Sequence, residues 1–71
     1  MAVPMAVMQN MIQKSVSLLL KDNTILEGTL ESYDDYMNMV ISNTEEITEA
    51  SRRKLGTVIL RGNNVVRISQ K

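Results

Sequence analysis

Leu26-Glu27-Gly28-Thr29-Leu30 is the stretch on which the fold turns. Leu26, Gly28 and Leu30 fall on one face, and Glu27, Thr29 and Glu31 on the other. This period of two marks a strand with one face against a core. Glycine weakens the interior of a strand, so Gly28 implies a sharp bend or a close approach of another backbone. A strongly bent strand is what a small barrel needs in order to close.

Working outward from it, Val16, Leu18 and Leu20 alternate with Ser17 and Leu19 as a preceding strand, and Lys21-Asp22-Asn23 is the turn between the two. Earlier still, Pro4 to Lys14 reads as a short amphipathic helix. Met5, Met8, Met11 and Ile12 recur at spacings of three and four, and Pro4 suits a first helical turn. Such a stripe packs on the rest of the fold or, alternatively, offers a Met-rich face to a partner. On the other side, Tyr33-Asp34-Asp35-Tyr36 breaks the alternation as a loop, and Met37 to Thr44 resumes it as a third strand. Glu45 to Lys54 is polar, acidic early and basic late, and reads as a strand end with a solvated hairpin loop rather than a functional charge patch. Leu55 to Leu60 forms a fourth strand, Gly62-Asn63-Asn64 a tight turn, and Val65 to Ser69 a short fifth strand. The expected fold is therefore mainly β: one domain over 1–71, with an N-terminal helix at 4–14. Its remainder, 15–69, is a strongly bent five-stranded antiparallel sheet, a small open barrel.

With 71 residues the chain buries only a modest core. Small folds draw extra support from disulfides, metals or partner subunits. Cysteine and histidine are both missing, which excludes disulfides and the usual zinc sites and leaves self-association. The lack of cysteine also fits a reducing, cytoplasmic setting. Eight basic and eight acidic residues cancel, which argues against coating duplex nucleic acid by positive charge alone. A local basic site remains open. Tyr33 and Tyr36 are the only aromatics, so no aromatic-rich stacking sheet is available. No apolar run approaches the roughly 18 residues that cross a bilayer, and the first residues lack the pattern of a secretory signal.

Chemistry has few places to reside. The serines have no histidine to act as base, and no spaced-glycine nucleotide motif occurs. Asp34-Asp35 and Glu45-Glu46 are carboxylate pairs that could hold a divalent cation, although adjacent acids in polar loops are ordinarily solvated or structural. No cofactor is expected, and an enzyme is the weakest reading. Two loops are richer. One carries Asp34, Tyr36 and Asn38: an acid, an aromatic face and an amide. The other, Arg61-Gly62-Asn63, supplies a planar cation, a flexible backbone and a second amide. Bases stack on aromatic and guanidinium planes and hydrogen-bond to amides. The same residue types also serve ordinary turns, so composition leaves both readings open.

The combined pattern resembles the Sm and Sm-like (Lsm) family, most of all its archaeal branch. Leu26-Glu27-Gly28-Thr29-Leu30 with Tyr33-Asp34-Asp35-Tyr36-Met37-Asn38-Met39 is similar to the first Sm motif. Ile59-Leu60-Arg61-Gly62-Asn63-Asn64-Val65-Val66 is similar to the second. The resemblance implies a helix capping a bent five-stranded sheet, and a ring, commonly a heptamer, closed by pairing the fourth strand of one copy with the fifth of the next. It implies a non-catalytic protein binding single-stranded U-rich RNA at the inner rim, with RNA-processing proteins as further partners and no membrane. Tyr36 and Arg61 would sandwich a base, Asn38 would read its edge, Gly62 and Asn63 would complete the second loop, and Asp34 would orient neighbouring groups. Tyr36 stands where many relatives have histidine, and Asn63 where many archaeal relatives have aspartate. The competing expectation is a structural ring whose main partners are proteins.

Overall fold

The computed structural model describes residues 5–71, and side chains from residue 6 onward. The chain forms α1 (Met5–Met11) and five strands: β1 (Ser15–Leu20), β2 (Ile25–Tyr33), β3 (Met39–Ile47), β4 (Arg52–Leu60) and β5 (Val65–Gln70). A single 3-10 turn, Gly62–Asn64, separates the last two strands. All neighbouring strands are antiparallel, in the order β4-β3-β2-β1-β5. A short helix followed by five strands in one bent sheet is the expected architecture.

The inward faces of β1, β2 and the start of β3 follow the period-two reading, whereas in β5 a register shift against β1 puts Val65 and Ile68, three apart, on the same face. Val16 and Leu18 of β1, Leu26 and Leu30 of β2, Met39 and Ile41 of β3, and Val65 and Ile68 of β5 form one buried cluster. Met8 and Met11 of α1 complete it, so these methionines serve as core. Their flexible thioethers fill the irregular gap over a curved sheet. Pro4 lies outside the described residues, as does the side chain of Met5. The helix is shorter than its periodicity suggests, because Gln13 takes a left-handed backbone (φ 66°). That turn lets the Gln13 N–H donate to the Leu30 carbonyl at 2.7 Å, and the Leu30 N–H to that of Lys14 at 3.1 Å. The helix is thereby fastened to β2.

The bend runs across three strands. At Gly28 a Cβ would lie 2.6 Å from Cγ2 of Ile41 and 2.6 Å from the Ser42 carbonyl oxygen. The β2–β3 register slips between Glu27 and Thr29 at this point. Opposite, Asn43 is left-handed (φ 50°), and Gly56 of β4, paired with Thr44, has φ 77°. Register shifts on both sides of Thr44 make this a bulge, which bends and twists a strand. Thr44 is buried, but its hydroxyl donates to the Ile41 carbonyl at 3.1 Å, so no polar group is stranded. Gly56, a second glycine within a strand, carries the same kind of signal as Gly28, whereas Asn43 contributes with none.

Three boundaries differ from expectation. Tyr33 belongs to β2, paired with Met39, rather than to the loop. Met37 and Asn38 belong to the loop rather than to β3, since Met37 is left-handed (φ 65°) and both are bonded back to Asp34 in a turn. The polar segment is mostly paired strand, with Glu46 opposite Arg53 and Ile47 opposite Arg52. Arg52 meets Glu45 at 2.8 Å and Arg53 meets Glu46 at 2.7 Å, so opposite charges across a solvated hairpin replace an apolar face. Only the tip between β3 and β4 is loop.

Candidate nucleic-acid interface

The connection from β2 to β3 is built around one carboxylate. Oδ1 of Asp34 accepts the backbone N–H groups of Tyr36 and Asn38, each at 2.9 Å. Oδ2 accepts the side-chain amide N–H of Asn38 at 3.0 Å. The Asp34 backbone adds two bonds: its N–H donates to the Asn38 carbonyl and its carbonyl accepts from Met37, both 3.0 Å. Aspartate favours such turns because its short side chain reaches amides two residues on. Hydrogen bonds to the anion hold the Asp34 carboxyl below its ordinary range. The Asn38 backbone N–H contributes most and the Asn38 amide next; desolvation opposes them, and the Tyr36 N–H adds least.

The second loop docks directly on the first. Gly62 is buried, and its N–H donates to Oδ1 of Asn38 at 3.3 Å. A Cβ at Gly62 would lie 2.7 Å from the Met37 carbonyl oxygen, 2.8 Å from Met37 Cβ and 2.9 Å from the Tyr36 carbonyl oxygen. The glycine is therefore needed for close approach of two backbones, not for the flexibility its composition suggests. The Asn38 amide is consequently gripped at both ends, its nitrogen by a carboxylate and its oxygen by an N–H. A flipped amide would set N–H against N–H and oxygen against carboxylate. One N–H and one lone pair remain free, in a fixed order.

Asp34, Asn38 and Gly62 are thus brought into one hydrogen-bonded unit, and Tyr36 is tied to it through its backbone. Tyr36 is 84% exposed, and Arg61 and Asn63 extend into solvent from the turn on either side of Gly62. Among the described residues Arg61 makes no ion pair. Two contributors escape a reading by composition. Met37 supplies the left-handed step that brings Asn38 back to Asp34. Lys21, in the β1–β2 turn, donates its backbone N–H to the Asn64 carbonyl at 3.0 Å and so joins that turn to the β4–β5 turn. Met37 carries no local signal, and although Lys21 lies in a turn the sequence marks, its contact with Asn64 follows only from the pairing of β1 with β5.

The acid pairs do not converge on a metal site. Glu45 and Glu46 are occupied by the arginines of β4, and Asp34 by its own loop. Among the described residues no three metal-binding side chains gather. A groove of about 430 Å³ at the bend, lined by Glu27, Asn43, Lys54 and Lys71 among others, contains none of the residues of the two loops.

Comparison with known proteins agrees with this geometry. Residues 6–70 match the LSM domain family. A putative snRNP Sm-like protein of Methanosarcina barkeri is 37% identical over 67 residues, 93% of each chain. Among solved structures, the P. aerophilum SmAP1 heptamer has TM-score 0.90 at 35% identity, covering 100% of this chain and 96% of that one. The Pyrococcus abyssii Sm protein in complex with a uridine heptamer has TM-score 0.89 at 31% identity, covering 97% and 99%. A bent five-stranded sheet under a short helix, with two interlocked loops at one end, is an Sm fold. The chain belongs to the Sm-like (LSM) family.

Proposed function

We propose that this chain assembles into a ring, and that the ring binds single-stranded, U-rich RNA at the Asp34–Asn38 and Arg61–Asn63 loops without catalysing a reaction. The fixed orientation of Asn38 carries this reading. Uracil presents a donor at N3 beside the O4 acceptor, and an amide offering a lone pair and an N–H complements both. Cytosine presents the opposite order. The exposed Tyr36 ring and the unpaired Arg61 guanidinium are the planes on which a base stacks. Asn63 adds a second amide beside them. The solved uridine complex of a related Sm protein supports the choice of ligand.

Ring closure is supported by the sheet itself and by the heptameric relative. The outer strands of the described sheet are β4 and β5, with Ile59 76% exposed and Val66 52% exposed on them. Open apolar edges are an aggregation hazard that pairing around a closed ring removes. A place in RNA processing, as a chaperone or scaffold in the cytoplasm, is the role most consistent with such a ring. Titration with oligouridine, oligocytidine and oligoadenosine of equal length tests the reading. Oligouridine should bind most tightly, and equal affinities would remove the base-reading role of Asn38.

A further inference from the structure

The proposed base pocket uses the β2–β3 and β4–β5 connections, and the latter is bonded to a third connection that the pocket does not use. The third is the turn Lys21-Asp22-Asn23 between β1 and β2. Its position is fixed by pairing. Leu20 lies opposite Val65 at the start of β5, the Lys21 N–H donates to the Asn64 carbonyl, and the Asn64 N–H donates to the Arg61 carbonyl, both at 3.0 Å. Two successive backbone bonds therefore link Lys21 to Arg61. Between the turns lies a depression of about 250 Å³ lined by Leu20, Lys21, Asp22 and Asn64.

The Lys21 ammonium has no ion-pair partner among the described residues, although Asp22 also lines the depression. Asp22 turns its carboxylate back on its own turn, where Oδ1 accepts the Thr24 N–H at 3.0 Å, and makes no ion pair with Lys21. Five cations of the described chain lack an ion pair: Lys14, Lys21, Lys54, Arg61 and Arg67. Of these, Lys21 and Arg61 stand on the two turns joined through Asn64. An ammonium on a long flexible stem differs in use from the guanidinium beside it. It is a point charge with three donors, unsuited to stacking and suited to a phosphate oxygen.

We propose that Lys21 and the depression beside it form a backbone subsite that takes a phosphodiester of the strand whose base enters the Tyr36–Asn38–Arg61 pocket. The inference rests on the RNA-binding reading above and adds a residue to it. Bonds to phosphate position a strand without reading its sequence. Lys21 therefore sets register and affinity, and Asn38 sets base preference.

The test measures binding of fluorescent oligouridine and oligocytidine to the intact assembly from low to high salt, for wild type, Lys21→Met, Lys21→Arg and Asn38→Ala. Lys21→Met keeps most of the aliphatic stem and removes the charge. It should weaken both oligonucleotides by the same factor, about fivefold per engaged subunit near 0.1 M salt, and flatten the log–log salt slope by about 0.7 for each phosphate that is no longer neutralised. Lys21→Arg should restore most of the affinity, while Asn38→Ala should erase the preference for uridine and keep the salt slope. A Lys21→Met protein with wild-type affinity and slope, or one whose uridine-to-cytidine ratio changes, would overturn the subsite while leaving the base pocket standing. Wild-type protein that binds neither oligonucleotide would overturn both.

Discussion

At the scale of single residues, Asp34 governs the geometry of the pocket without needing to reach into it. Its carboxylate gathers three N–H groups, two of them from Asn38. Asp34→Ala should therefore free the Asn38 amide to flip, and the oligouridine-to-oligocytidine affinity ratio should fall toward one in parallel titrations. The same carboxylate sets the pH response. Its native pKa is depressed, so its contribution is complete above the unfolded aspartate value of about 3.9 and is lost as pH falls through the lower native value. With no histidine in the chain, binding should be flat from about pH 8 to pH 5.5 and should fall only below about pH 4. A midpoint near pH 6.5 in a binding titration would contradict this account.

At the scale of elements, the glycines separate by mechanism. Gly28→Ala would press a Cβ to 2.6 Å from the Ser42 carbonyl oxygen, a backbone atom that cannot step aside without undoing the bulge. A destabilisation of about 1–3 kcal/mol in urea unfolding is expected, as for overpacking generally. Gly56→Ala meets nothing within 4 Å but must hold φ 77°, so about 1–2 kcal/mol of backbone strain is expected without a change in packing. Gly62→Ala differs from both. It would wedge the Arg61–Asn63 turn away from Met37, so oligouridine affinity should drop by more than the unfolding midpoint shifts. The hairpin tip shows the limits of composition at this scale. A polar stretch suggests loop, but Glu46 and Arg53 directly opposite each other supply a cross-strand pair where hydrophobic alternation is missing.

At the scale of the whole molecule, one base pocket is weak and assembly makes it effective. Stacking contributes about 1–3 kcal/mol per base. Several pockets on one rigid ring let a short strand engage them together, which raises avidity through effective concentration. Ile59→Asp, placed on the exposed face of the edge strand β4, should shift native mass spectra toward monomer. The resulting monomer should bind oligouridine at least about tenfold more weakly than the ring, since each added pocket multiplies affinity. Equal binding by monomer and ring would remove multivalency from the mechanism. Neutral total charge is no obstacle, because Arg52, Arg53 and Lys71 are paired with acids while Arg61 and Lys21, on turns joined through Asn64, make no ion pair among the described residues.

The sequence by itself determined the order of helix and strands, the buried faces of β1 and β2, the bend at Gly28 and the chemistry-bearing residues Asp34, Tyr36, Asn38 and Arg61 to Asn63. These depend on side-chain period and on local turn preference, which act between near neighbours in the chain. The tertiary structure decided what those loops do to each other. It alone brought Gly62 within hydrogen-bonding distance of Asn38, oriented that amide, extended β3 and β4 through charged residues, and set Lys21 beside Asn64. Each of these joins strands distant in sequence, and is fixed by register and by bulges that no local pattern encodes.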